Sequence, residues 1–136
     1  MNEEQSKRLA DAADAVIQSA EAAAEAAEAL EDPRFASEQE RDRTQAAQQV
    51  ASKLENAGKK VHDALRKGAV AAAASGRAGV YEAYQAGAAA ASTSRDEAKA
   101  IGNEDGSANK QAKAQQSRES LETALNAAVK LVFLSE

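Results

Sequence analysis

Ser37-Glu38-Gln39-Glu40 opens a stretch that continues without proline or a long polar break as far as Ser92-Thr93-Ser94. The reading of Ser37–Thr93 decides the fold. Its first half places Ala47, Val50, Leu54, Ala57, Val61, Ala64 and Gly68 at alternating steps of three and four, the spacing of one helix face. Its second half keeps that spacing through Ala69, Ala72, Gly76, Gly79, Ala83, Ala86 and Ala90, with almost no side-chain volume. The whole stretch reads as one very long helix, about 38–92, with a possible joint at Ser75-Gly76-Arg77-Ala78-Gly79. Straight, it would extend roughly 80 Å. Each glycine costs a helix about 1 kcal/mol relative to alanine. Gly68, Gly76, Gly79 and Gly87 therefore need either a bend or a backbone lying very close.

The segment before it reads as a helix over 3–31 with an apolar seam at Leu9, Ala13, Val16, Ala20, Ala23, Ala27 and Leu30. A second stripe, including Glu4, Asp11, Asp14, Glu21, Glu25 and Glu28, is almost purely acidic. Pro33 disfavours helical geometry at Asp32, so the chain turns there. Ser37 with Glu40 then reads as a capping box. A turn this short favours an antiparallel helical hairpin. After Ser92-Thr93-Ser94, read as a break, Ser94 and Glu97 suggest a second capping box and a short helix over 95–101. Gly102-Asn103-Glu104-Asp105-Gly106 is a loop by its turn chemistry. Ser107 then caps a last helix that reaches about 134. The expected class is all-α: an elongated antiparallel hairpin or bundle of three to four long Ala-rich helices in one domain, 1–136.

Composition supports that class. Alanine makes up roughly a quarter of the 136 residues, whereas Leu, Ile, Val and Phe together make up about one in seven, below the ~20% at which a chain starts to look unable to build its own core. Such a chain should form helices readily and gain stability by packing against copies of itself. The net charge is -5, but it is unevenly spread. Met1 to Asp32 carries nine acids against Lys7 and Arg8, while Lys53 to Arg77 carries six bases against Glu55 and Asp63. Met1-Asn2-Glu3-Glu4 is acidic and does not read as a signal peptide, and no apolar run is long enough to span a bilayer. Virion and cytoplasm are the compartments this suggests.

Catalytic, cofactor and metal residues are not expected. With no Cys and a single His, His62, thiolate nucleophiles and paired-histidine metal sites are excluded. Consecutive helical residues diverge by about 100°, so His62-Asp63 does not act as a pair. The feature with a partner chemistry is the basic middle. Lys53, Lys60 and Lys67 are seven apart, Lys59 and Arg66 lie on a neighbouring line, and Arg77 follows. A stripe of this kind meets the phosphates of DNA or RNA without reading sequence. The competing reading is a solvated face, or one neutralised by the acidic helix. Val129-Lys130-Leu131-Val132-Phe133-Leu134 is the most apolar stretch. This stretch either caps the chain's own core or docks onto another subunit; in the second case Leu131, Val132, Phe133 and Leu134, with Gly76 and Gly79, are the expected subunit contacts. Together these features suggest a non-enzymatic subunit of a helical array, a filament or virion coat that packs nucleic acid. The alternative is a soluble helical interaction module, resembling in style a phasin-like surface coat, without nucleic acid.

Overall fold

The computed structural model describes residues 2–136. Four helices account for nearly all of it: α1 (Glu3–Ala29), α2 (Glu40–Ala73), α3 (Val80–Ala100) and α4 (Ser107–Ser135). Short 3-10 turns at Pro33–Ala36 and Ile101–Asn103 link α1 to α2 and α3 to α4. The class is all-α, as the sequence indicates.

Directions follow from neighbours. Arg8 and Asp11 line one groove with Lys67 and Val70, so α1 is antiparallel to α2. Gly58 faces Arg95 and Gly87 faces Leu65, so α3 is also antiparallel to α2. Glu40 meets Ser107 and Gly68 meets Leu131, so α2 and α4 run parallel. This is an up-down-up-down bundle. The α2 helix touches the other three, whereas α1 and α3 flank it and make no contact with each other among the described residues.

The long central helix is divided. It stops at Ala73, reverses, and resumes at Val80 as α3. Gly76 and Gly79 have φ of 69° and 92°, a region that side chains with a Cβ rarely enter. The glycines at the joint make a reversal rather than a bend. By contrast, Ser92-Thr93-Ser94 does not break the helix, and the separate helix over 95–101 merges into α3. Ser94 is fully buried instead. Its hydroxyl donates to the Ser117 carbonyl oxygen at 2.8 Å, and the Ser117 hydroxyl donates to the Ser94 carbonyl oxygen at 2.7 Å. A serine reads as a helix stop because its hydroxyl competes for backbone groups. Here α4 supplies those groups across the interface, and the helix continues.

The α2 seam is the predicted one: Ala47, Val50, Leu54, Ala57, Val61, Ala64 and Gly68 are all buried. Gly58 and Leu65 add a second line toward α3, because α2 must cover several neighbours. The α1 seam is rotated. Its buried line is Ala12, Ala15, Ser19, Ala22 and Ala26, whereas Ala20 of the expected seam is exposed. Alanine occupies both lines, so spacing alone does not choose between them. The smallest line takes the closest approach, and Val16, Ala23 and Leu30 pack at its edge. The α3 seam shifts likewise, from Ala86 and Ala90 to Ala83, Gly87, Ala91, Ser94 and Ala98. One buried cluster draws on all four helices, with Val50, Leu54, Val61, Leu65, Ile101, Leu121 and Leu131 as its largest apolar members.

Two caps also differ from expectation. The Ser37 hydroxyl accepts from the Gln39 N–H and donates to Asp42, while Glu40 does not reach back to it. Glu40 instead caps α4. Its carboxylate accepts the Ser107 N–H at 2.7 Å and the Ser107 hydroxyl at 3.0 Å. Ser107 is thus the capped residue, not the cap. Arg43 bonds Glu40, the Ser107 hydroxyl and the Ser37 carbonyl, closing this end of the bundle. These donors, the Ser107 N–H first and Arg43 next, hold the Glu40 carboxyl below the usual carboxylate range.

Candidate nucleic-acid interface

The outer face of α2 carries the basic stripe. Its opposite face is buried, so polar residues are left to water along most of its 34 residues. Lys53, Lys59, Lys60, Arg66 and Lys67 are all exposed. At about 100° per residue they fall on two lines. Lys53, Lys60 and Lys67 flank α1, while Lys59 and Arg66 lie about 100° further round. Steps of seven residues separate the lysines of the first line by about 10 Å.

Asp63 lies between the two lines. It accepts from Arg66 at 2.7 Å and pairs with Lys67 at 3.0 Å. These two bonds, Arg66 first, hold its carboxyl below the ordinary range, so it stays ionised and partly neutralises its neighbours. Lys53, Lys59 and Lys60 have no carboxylate within ion-pair distance among the described residues. No ion pair among those residues joins α1 to α2. The acidic helix lies beside the basic one without direct pairing, because its own acids Asp14, Glu21, Glu25 and Glu28 face outward.

Arg77 does not belong to this stripe. It sits in the turn between α2 and α3 and donates to the Phe133 and Glu136 carbonyl oxygens, covering the last turn of α4. Nor does the expected set of subunit contacts stand as a group. Leu131 is fully buried against Gly68, inside its own bundle. Val132 and Leu134 are half-buried, and Phe133 alone is strongly exposed, at 62%. Gly76 and Gly79 are required by the turn, and nothing lies near enough to meet an added Cβ at either. The apolar C-terminal stretch mainly completes its own core.

The structure adds residues that the sequence reading passed over. His62 faces Ser92, Arg95, Asp96 and Lys99 of α3 across a shallow groove. Arg95 and Lys99 extend the positive surface beyond α2. The signal lay in the antiparallel register of α2 and α3, hidden as long as both were read as one helix. No hydrogen bond joins His62 to Ser92 or Asp96 among the described residues, so the three form no nucleophile–base pair. Among the same residues no three His, Cys, Asp or Glu side chains gather as a metal site. Among the described residues no helix is long and apolar enough to cross a membrane. Two isolated aliphatics are also left in water: Ile17 on α1, 56% exposed, and Val70 on α2, 52% exposed.

Comparison with protein families, with characterised proteins and with solved structures finds no match to this chain.

Proposed function

We propose that this chain is a non-catalytic helical subunit that works through its surfaces, assembling with copies of itself and laying its basic α2 face along a polyanion. Nucleic acid in a filament or virion coat is the specific form of that reading. The observation that carries it is the line Lys53, Lys60 and Lys67. It is exposed, evenly spaced, and not paired to the acids of α1 beside it. Such a line contributes affinity without sequence readout and releases counterions on binding. The test is salt-dependent binding of random-sequence duplex DNA and RNA to the full chain. Lys53→Gln, Lys60→Gln and Lys67→Gln together should lower affinity equally for all sequences and reduce the salt slope by about 0.9 per lysine for duplex DNA. Wild-type protein that binds neither nucleic acid at low salt would overturn the coat reading.

A second reading is a helical interaction module without nucleic acid. It is favoured by one observation: the bundle buries most of its large aliphatics within a single chain. Sedimentation of natively purified protein, read at 260 and 280 nm, separates the two. With two Tyr and no Trp, bound nucleic acid would dominate the absorbance.

A further inference from the structure

The two exposed aliphatics lie on oppositely charged helix faces whose spacings match. Ile17 is on the outer face of α1. Counting forward from it by four, eight and eleven residues reaches Glu21, Glu25 and Glu28, all exposed. Val70 is on the outer face of α2. Counting backward by four, eight and eleven reaches Arg66, His62 and Lys59, also all exposed. Residues at such steps lie along one side of a helix. Two antiparallel helices with Ile17 opposite Val70 would therefore place Glu21 by Arg66, Glu25 by His62 and Glu28 by Lys59. Val70 also forms the floor of a groove of about 270 Å³ between the side chains of Arg8, Asp11, Arg66 and Lys67, which offers Ile17 an apolar seat with a mainly basic rim.

We propose that the outer face of α1 of one copy docks antiparallel on the outer face of α2 of a second copy, with Ile17 seated on Val70. The idea rests on the self-association half of the function proposed above and names its contact. Asp63 opposes an acidic partner, but Arg66 and Lys67 already bond it, and in this register it faces Ala24. The contact joins two different surfaces, so the copy that contributes α1 keeps its α2 face free and the copy that contributes α2 keeps its α1 face free. Association of this kind runs on into a chain unless its rotation closes a ring. Lys53 and Lys60 lie on the other flank of α2 and stay free for a polyanion. One contact covers about three turns, with charges at its rim, so it is weak singly and salt-sensitive.

The experiment uses nuclease-treated full-length chain in sedimentation velocity at low salt and at ~0.5 M salt. Wild type should associate at low salt and dissociate at high salt. Glu21→Lys with Glu28→Lys should weaken association by about tenfold or more, as should Lys59→Glu with Arg66→Glu. Mixing the two variants should restore it, since each then offers the face that the other needs. Circular dichroism checks that both variants keep wild-type helicity. A wild type that stays monomeric at low salt overturns the proposal, and so do variants that associate like wild type or a mixture that stays dissociated. Nucleic-acid binding is tested on Lys53→Gln with Lys60→Gln, which lie off the docking face, so either idea can fail while the other stands.

Discussion

The α2 and α3 helices look in sequence like two halves of one helix, yet they are built on different principles. The α2 helix buries volume: Val50, Leu54, Val61 and Leu65 are all fully inaccessible. The α3 helix buries almost none, and its seam is Ala83, Gly87, Ala91, Ser94 and Ala98. It gains instead from closeness. Leu65 of α2 and Ala127 of α4 fill the space where Gly87 lacks a side chain, and the Ser94 and Ser117 hydroxyls each donate to a backbone carbonyl of the opposite helix. A helix with little apolar area can still be held firmly if its neighbours come near enough for dispersion and backbone hydrogen bonds. Low aliphatic content therefore does not mean that a core is missing.

The strongest way to break this contrast is Leu54→Ala. On α2 the loss is volume, and a cavity should remain, at a cost of about 2–5 kcal/mol in denaturant unfolding. On α3 the comparable injury is an addition. A Cβ at Gly87 would overlap Leu65 Cδ2 and come within 2.8 Å of Ala127 Cβ. Gly87→Ala should thus destabilise by about 1–3 kcal/mol, although alanine is the better helix former. Combining it with Leu65→Ala should cost less than the sum of the two, because the truncated leucine vacates the space. Additive costs would show that closeness is not what holds α3.

The smallest effect concerns the end of the bundle where α2 meets α4 through charge. The Glu40 carboxyl titrates lower in the folded chain than in the unfolded one. Its stabilising contribution is present above the unfolded carboxylate range and is lost as pH falls through the lower folded value. The melting temperature of wild type should exceed that of Glu40→Gln at neutral pH, and the gap should close on acidification. A gap independent of pH would mean that Glu40 acts by packing rather than by its charge on the α4 N-terminus.

These contrasts explain what could be read from the sequence. The α2 seam was legible residue by residue because Val50, Leu54 and Val61 differ from the polar residues around them. In α1, alanines at both Ala12–Ala15 and Ala13–Ala23 fit a helical stripe, and only the packing partners choose. Gly76 and Gly79 announced a joint, but reversal and bend use the same residues, and the outcome depends on whether α3 finds α2 and α4. Ser94 looked like punctuation because its partner, Ser117, lies 23 residues further along the chain. At the candidate interface, the stripe on α2 was legible from its seven-residue spacing. Arg77 was misassigned because its partners, the Phe133 and Glu136 carbonyls, are supplied by the last turn of α4. The contribution of Arg95 and Lys99 needed the register of α3 on α2.

The parallel course of α2 and α4 has a consequence for how the chain reaches this state. The α1–α2, α2–α3 and α3–α4 pairs are each joined by a short link and can close as hairpins with little loop entropy to overcome. No hairpin can bring two parallel helices together. The contact of Gly68 with Leu131 and the bond of Glu40 to Ser107 each span more than sixty residues. They wait on the α2–α3 and α3–α4 reversals that bring α4 back beside α2. The topology thus sorts its contacts into three local pairs and the long-range pairings of α4 with α2 and α1, and long-range pairings are the slower ones to form.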